Sequence, residues 1–224
     1  MTAAVGAVLM AAGAGSRIGH RPKCLLTLDG APLVERHLRA LAEAGVAPVA
    51  VALGHHADRI EPVLAALEPA LAPAVDLRWA RNPDPDAGPG GSLRCALALL
   101  PAGLDAVLVA LADQPLVGAA ELRWALDAWR GRAPGIALIQ PRFEGQLGHP
   151  LVFDAAVRQA VMQAPAHTGL REWRRQHADQ VALLPVASER HTLDIDTEAD
   201  RLALARTHRV RLEWPPGLEQ GDFQ

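Results

Sequence analysis

A segment of small residues and two cations follow the first apolar run of the chain. The run at residues 5–10 leads into a stretch poor in side chains, and Arg17 and Lys23 come next. In such a stretch backbone N–H groups can approach phosphate oxygens, and the cations can neutralise phosphate charge. We therefore predict a nucleoside triphosphate site here. Its residues are Ala11, Ala12, Gly13, Ala14, Gly15, Ser16, Arg17 and Lys23.

The spacing of the glycines disfavours two common classes of nucleotide-binding site. Gly13, Gly15 and Gly19 do not form the Gly-x-Gly-x-x-Gly pattern of dinucleotide-binding proteins, and the Gly-Lys-Ser/Thr of a P-loop is missing. Hydride transfer and P-loop ATPase chemistry are therefore disfavoured. Without the two cations, a simple tight turn would explain the glycines equally well.

Acidic residues occur at two further places. The apolar run at residues 106–112 ends in Asp113, and strand ends of this kind form the ligand crevice of open α/β sheets. An aspartate there can hold Mg²⁺, although it can also cap the following helix. Asp194 and Asp196 share one face of a predicted extended segment. Thr197 and Asp200 match a capping box, which leaves Asp194 without a structural explanation.

The composition disfavours several classes of protein. The 224 residues carry a formal net charge of -3 with acidic and basic residues interspersed, so no basic stripe for nucleic acid is present. The two cysteines have no ligand spacing, which gives no support for a zinc site or a disulfide framework. No apolar run reaches the roughly 18 residues of a membrane span, and the first residues lack the cationic start of a signal peptide. We expect a cytoplasmic protein without membrane or nucleic-acid partners.

Apolar runs of strand length alternate with stretches of helical spacing, which predicts βαβ units around a mostly parallel sheet. The predicted strands are residues 5–10, 49–53, 75–79, 106–111 and 136–139. The predicted helices are residues 33–44, 57–67, 92–100, 119–130 and 154–163. Residues 82–92 are rich in proline, glycine and aspartate and predict a long loop.

Runs at residues 181–186 and 192–195 predict added strands, which would form a small β flap on the core. We therefore predict one Rossmann-like domain of three α/β/α layers over residues 1–210. The remaining residues, 211–224, have no periodicity and predict a flexible tail.

Taken together, these motifs resemble the MobA-like nucleotidyltransferases, and within them the CTP:molybdopterin cytidylyltransferases. The similarity covers most of the chain. The Ala-Ala-Gly form of the first loop and the Asp-Gln-Pro form of the acidic motif are similar to the cytidylyl branch. The matching motifs are residues 9–19 with Lys23, Gly54-His55, Asn82-Pro83 through Gly91-Ser92, Leu111 through Pro115, Gly148-His149-Pro150 and Asp194 through Thr197.

The resemblance implies a fold of the nucleotide-diphospho-sugar transferase type and an enzyme that moves CMP from CTP to the terminal phosphate of molybdopterin, releasing pyrophosphate. It implies Mg²⁺ or Mn²⁺ as cofactor and a molybdoenzyme, or its chaperone, as recipient of the product. Arg17, Lys23 and Asp113 would be catalytic. Nucleotide binding would extend from the first loop to Gly54, Gly91, Ser92 and Asp113. The acceptor would contact Gln114, His149 and Pro150, and the metal would be held by Asp113 with Asp194 or Asp196.

The chain also departs from the family pattern. Ile18 stands where methionine is common, and Glu198 stands where proline is frequent. The sequence Arg21-Pro22-Lys23 is similar to sugar-phosphate nucleotidyltransferases, so a sugar 1-phosphate or a polyol phosphate is an alternative acceptor. A non-catalytic cofactor-delivery protein is a second alternative, which retention of the cations and carboxylates disfavours.

Overall fold

The computed structural model describes residues 4–165 and 168–219. The strands are β1 Val5–Ala11, β2 Thr27–Leu28, β3 Ala31–Pro32, β4 Val49–Leu53, β5 Leu77–Arg81, β6 Ala106–Leu111, β7 Leu138–Phe143, β8 Gln146–Leu147, β9 Leu151–Asp154 and β10 Val181–Pro185. The helices are α1 Leu33–Glu43, α2 Ala57–Leu71, α3 Pro89–Leu97, α4 Ala119–Arg130, α5 Ala155–Gln163, α6 Leu170–Gln176 and α7 Glu198–Thr207.

The main sheet has the strand order β10-β7-β9-β6-β1-β4-β5, and β8 pairs with β7 at one end. Strands β6, β1, β4 and β5 are parallel neighbours, whereas β9 runs antiparallel to both β6 and β7. The carboxyl ends of β1, β4 and β6 therefore meet at one edge, where a ligand crevice is expected.

Helices cover both faces of this sheet. Leu9 of β1 belongs to an apolar cluster that includes residues of α1, α2 and α4. Its neighbour Val8 belongs to a second cluster with residues of α3 and α5. Burial on both faces explains the continuous apolar character of the strands. The predicted α/β/α architecture with a mostly parallel sheet is confirmed.

Most element boundaries shift by a few residues from those predicted. Helix α3 starts at Pro89, inside the predicted loop, because proline is tolerated in the first helical turn. Helix α2 continues to Leu71 past Pro62 and Pro69, which lie on its exposed side while Ile60 and Leu64 lie buried. Strand β9 and helix α6 were not predicted.

The predicted strand at residues 192–195 is wrong. Residues Glu189–His191 form a 3₁₀ turn, and no ladder follows it. The backbone N–H of Ile195 donates instead to the carbonyl of Asp113, at 3.1 Å. A single long-range hydrogen bond therefore fixes this segment.

The described part of the C-terminal segment packs against the domain. Leu212 is 1% exposed and lies in a third apolar cluster with Ile18 and Leu204. The domain end at residue 210 stays a prediction, and the predicted tail residues 220–224 lie outside the described residues. Within the described ranges, no helix is long and apolar enough to cross a membrane.

Arg158 of α5 caps the end of α3. Its guanidinium donates to the carbonyls of Leu97 at 2.7 Å, Leu100 at 2.6 Å and Pro101 at 2.5 Å. We expect Arg158→Met to lower the free energy of unfolding by about 1–3 kcal/mol, because these carbonyls lose their donors. Urea unfolding measures this. The exposed Arg59→Met on α2 is the control, and equal losses in both variants would contradict the capping role.

His37 of α1 is 2% exposed, and burial lowers its pKa to about 4 despite the opposing effect of the Gln114 backbone. The unfolded chain binds a proton near the ordinary pKa of 6.5, so unfolding takes up a proton between these values. Stability should therefore fall as the pH falls through this window, by at most about 1.4 kcal/mol per pH unit. Urea unfolding across the window should show a shallower fall for His37→Leu. The exposed control His20→Asn should keep the wild-type slope.

Candidate active site

The first loop turns back over the carboxyl end of β1. Gly15 has φ +60°, and its carbonyl accepts hydrogen bonds from the backbone N–H groups of Ile18 at 3.0 Å and His20 at 2.9 Å. A Cβ at Gly15 would overlap the carbonyl oxygen of Arg21, so the turn requires glycine. A Cβ at Gly13 would meet nothing within 4 Å. The loop is therefore tightly packed at Gly15, where the chain turns, and open at Gly13, where a ligand could approach the backbone.

A buried arginine anchors the end of this loop. Arg21 is 4% exposed, and its Nε donates to the carbonyl of Ile18 at 2.8 Å. Its guanidinium pairs with Glu198 and lies 3.9 Å from the centroid of the Trp214 ring. Glu198 also accepts from the Trp214 indole N–H at 2.8 Å. The departure from the family at Glu198 thus has a partner in Arg21.

Three carboxylates converge beside this loop. Asp113 follows β6, and its carbonyl holds the N–H of the fully buried Ile195. With Ile195 turned inward, Asp194 and Asp196 point to the common side that alternation predicts. One carboxylate oxygen from each of Asp113, Asp194 and Asp196 lies within 4.8 Å of the others. The predicted capping box of Thr197 and Asp200 is present and fixes the turn that follows.

Lys23 lies between two of these carboxylates. Its Nζ contacts Asp113 and lies 2.9 Å from Asp196, which also pairs with Arg17. Burial would lower the pKa of Lys23, but Asp113 and Asp196 outweigh it and the pKa is raised. Burial would raise the pKa of Asp196, but the charges and hydrogen bonds of Lys23 and Arg17 outweigh burial, so this pKa is lowered. Both side chains are therefore charged at neutral pH.

Asp194 has a different environment. Desolvation in the crowded cluster, followed by the charges of Asp113 and Asp196, raises the pKa of its carboxyl. Among the described residues no cation forms an ion pair with Asp194. Three converging carboxylates, one without a cationic partner, suit a hard divalent cation that prefers oxygen ligands. The donor set therefore fits Mg²⁺ or Mn²⁺.

Two depressions lie at or near this cluster. The small one lies over the loop and is lined by Ala11, Gly13, Lys23 and Asp113, among others. The large one is a cleft of about 590 Å³ between the start of α3 and helix α6. Met10 lines both of them, so the two depressions are neighbours.

Of the other predicted nucleotide residues, Gly54 packs against the first loop, whereas Gly91 and Ser92 pack against Asn82. A Cβ at Gly54 would lie 2.5 Å from the carbonyl oxygen of Ala12, so β4 approaches the loop closely there. Gly91 packs on the Asn82 side chain. Ser92 is 1% exposed, and its Oγ accepts from Asn82 Nδ2 at 3.0 Å. Ser92 therefore fixes the loop at residues 82–92 to α3.

The predicted acceptor residues separate in the structure. His149 lines the large cleft, and burial, followed by the charge of Arg174, lowers its pKa to about 4. Gln114 is 2% exposed, and its Nε2 donates to the carbonyl of His191 at 3.1 Å. Pro150 is buried. Only His149 of the three lines the cleft.

The sequence analysis missed two contributors. His56 places Nε2 2.8 Å from the carbonyl of Ala14 and so contacts the first loop. Its position just after Gly54-His55 was a usable signal. Arg174 lines the large cleft from α6, a helix that was not predicted.

The sequence profile of the MobA-like NTP transferase domain matches residues 7–181. The chain belongs to this family. Its fold and its membership of a nucleotidyltransferase family are thereby confirmed. The precise reaction, its acceptor and the roles of individual residues stay predictions.

Characterised relatives cover different shares of the chain. Nicotine blue oxidoreductase of Paenarthrobacter nicotinovorans is 34% identical over 195 residues, covering 85% of this chain and 91% of that protein. The bifunctional protein GlmU of Mycobacterium marinum is 30% identical over 176 residues, covering 76% of this chain and 35% of GlmU. The chain thus spans about a third of the length of this GlmU relative.

Solved structures agree with the family. Rv0371c from Mycobacterium tuberculosis H37Rv is 26% identical with a TM-score of 0.69, covering 91% of this chain and 98% of that one. A complex of Rv0371c with manganese is 26% identical with a TM-score of 0.68, covering 92% and 100%. The 4-diphosphocytidyl-2C-methyl-D-erythritol synthase of Anaerococcus prevotii is 13% identical with a TM-score of 0.68, covering 92% and 98%, and shares the fold.

The glycine turn gives a test with an internal control. Gly15→Ala should lower the free energy of unfolding by at least about 1–3 kcal/mol, because a side chain at φ +60° is strained and would meet the Arg21 carbonyl. Gly13→Ala, in open space, should stay within about 0.5 kcal/mol of wild type. Thermal or urea unfolding compares the two. Similar stability of both variants would contradict the requirement for glycine at the turn.

Proposed function

We propose that this protein transfers CMP from CTP to the terminal phosphate of molybdopterin, with release of pyrophosphate. The observation that carries the proposal is the meeting of Lys23, Arg17 and three carboxylates beside a loop-lined pocket, which shares Met10 with a large and mostly apolar cleft. The cations and the loop suit a triphosphate, and the neighbouring cleft suits an acceptor.

The chemistry requires little besides positioning and charge neutralisation. An oxygen of the acceptor phosphate attacks the α-phosphorus of CTP, and the bond from that phosphorus to the oxygen of the leaving pyrophosphate breaks. The acceptor phosphate is already an anion at neutral pH, so no general base is needed. Lys23 and Arg17 would offset the charge that grows on pyrophosphate, aided by backbone N–H groups of residues 13–16.

Asp113, Asp194 and Asp196 would hold a divalent cation, Mg²⁺ or Mn²⁺. When bound, the cation supplies charge stabilisation between the α-phosphate and the leaving group. Rv0371c, at 26% identity, has been solved as a manganese complex, which supports this assignment. The three carboxylates lie close enough together for both Asp194 and Asp196 to join Asp113.

The lining of the cleft favours a flat ring system as acceptor. Leu93, Val109, Leu111 and Leu151 form much of its wall. A volume of about 590 Å³ is in the range of pockets for small organic ligands. Sugar hydroxyls would find polar partners at the α6 side of the cleft but none along this apolar part of its wall, and unpartnered polar groups are unfavourable. A pterin agrees better with this surface.

Sugar 1-phosphates or polyol phosphates are the second candidate acceptors. The observation that favours them is the 30% identity to GlmU over three quarters of this chain. CTP is favoured over other nucleotides by the Ala-Ala-Gly and Asp-Gln-Pro forms of residues 11–13 and 113–115. A product molybdopterin dinucleotide would pass to a molybdoenzyme or to its chaperone.

Pyrophosphate release tests the proposal. Release with Mg²⁺ should require CTP, rather than GTP, ATP or UTP, and should require molybdenum-loaded molybdopterin. Asp113→Asn should lower turnover by at least about 100-fold, because a metal-binding carboxylate is lost. The control Asp127→Asn, at an exposed site on α4, should keep wild-type turnover.

Different results would reject parts of the proposal. Wild-type turnover by a folded Asp113→Asn variant would remove its metal role. Release that depends on a sugar or polyol phosphate instead of the pterin would establish the second candidate. Nucleotide binding without any release would favour a delivery protein.

A further inference from the structure

One wall of the large cleft carries positive charge. Arg174 and Arg171 lie on α6 and line the cleft, with Arg174 partly buried and Arg171 exposed. In the part of the chain that the structure describes, no carboxylate forms an ion pair with Arg174. The neighbouring Glu172 accepts instead from the backbone N–H of Gly169 at 3.1 Å. The guanidinium therefore faces the cleft with its charge unpaired.

A buried side chain fixes the orientation of Arg174. Gln140 is 3% exposed, and its Oε1 accepts from Nη1 of Arg174 at 2.6 Å. Its Nε2 donates to the carbonyl of Gly148 at 3.1 Å. Both ends of the Gln140 amide are thus engaged, which leaves little freedom to rotate. The arginine is held in place at the wall of a cleft, unlike an arginine that extends freely into solvent.

The remaining wall offsets this charge only in part, through Glu172, which lines the same cleft. Burial, and then the charge of Arg171, lowers the pKa of Arg174 although the charge of Glu172 opposes the shift, so part of the hydration of Arg174 is already lost. His149 faces the same cleft, and its lowered pKa keeps it neutral near pH 7. A partly desolvated cation that no carboxylate contacts in an ion pair gains strongly from an anionic ligand. The cleft is therefore apolar over most of its wall and cationic at α6.

We infer that Arg174, oriented by Gln140 and assisted by Arg171, binds a second anionic group of the acceptor, separate from the phosphate that reacts. The inference rests on the proposed function, because it assumes that the acceptor occupies the cleft. The ligand class is a flat ring system that carries an oxyanion in addition to its phosphate monoester. The planar donor fork of arginine suits an oxyanion, which can accept two hydrogen bonds at once.

Steady-state kinetics of pyrophosphate release test this with four proteins: wild type, Arg174→Gln, Arg174→Lys and Arg175→Gln. Arg175 is an exposed cation on the same helix and is not part of the cleft wall. Arg174→Gln should raise KM for molybdopterin by about tenfold or more, the effect of losing a charge-assisted hydrogen bond. The KM for CTP and the thermal unfolding midpoint should stay unchanged.

The other variants separate charge from structure. Arg174→Lys keeps the charge and loses the fork, so its KM for the acceptor should lie between those of wild type and Arg174→Gln. Arg175→Gln should match wild type. The form of the acceptor loaded with molybdate, which bears more negative charge, should lose more affinity in Arg174→Gln than the bare pterin.

The failures of the two proposals differ. Equal acceptor KM values in all four proteins, or an equal rise in the KM for CTP, would overturn the role of Arg174 and leave the proposed function standing. If a sugar or polyol phosphate proves to be the working acceptor, the proposed function fails. Its KM across the same four proteins then decides whether Arg174 binds a second anionic group.

Discussion

The Lys23 ammonium joins parts of the chain that are far apart in sequence. It contacts Asp113, which follows β6, and Asp196, which precedes α7. Three carboxylates within 4.8 Å of one another repel strongly unless cations lie beside them. Lys23 and Arg17 supply that charge. The loop that carries them must therefore lie at the carboxyl edge of the sheet, and several other features of the fold hold it there.

Most of those features fix the position of the backbone and do not themselves neutralise the carboxylates. Gly15 makes the turn, Arg21 fixes its end, and the hydrogen bond from Ile195 to Asp113 brings the acidic segment to the same edge. The capping box at Thr197 then fixes where α7 begins. Each element is local, and together they place opposite charges within contact of each other. Small changes in backbone geometry would separate them.

Much of the layered fold could be predicted from the sequence, because buried parallel strands and amphipathic helices leave clear periodic patterns. The helix at residues 119–130 was predicted with its observed bounds. The convergence of Asp194 and Asp196 was also anticipated, although the segment is not a strand. In the observed irregular segment, as in a strand, Ile195 points inward and its two neighbours point outward.

The positions of several site residues could not be predicted, because they depend on contacts between residues that are distant in sequence. Helix α6 is short and mostly polar, so its sequence carries little apolar periodicity, and Arg174 was missed with it. Ser92 was predicted to face the nucleotide, whereas its hydroxyl is bound to Asn82. Gln114 lies buried because the carbonyl of His191 comes within reach of its amide. These partners are distant in sequence and meet only after folding.

The contact of Arg21 with Trp214 and Glu198 has a consequence for the order of synthesis. The loop that carries Arg17 and Lys23 is synthesised well before Glu198 and Trp214, the residues that hold Arg21 at its end. A nascent chain can form the early strands long before this loop has its final support. The cation site should therefore reach its final geometry only after residue 214 has been added.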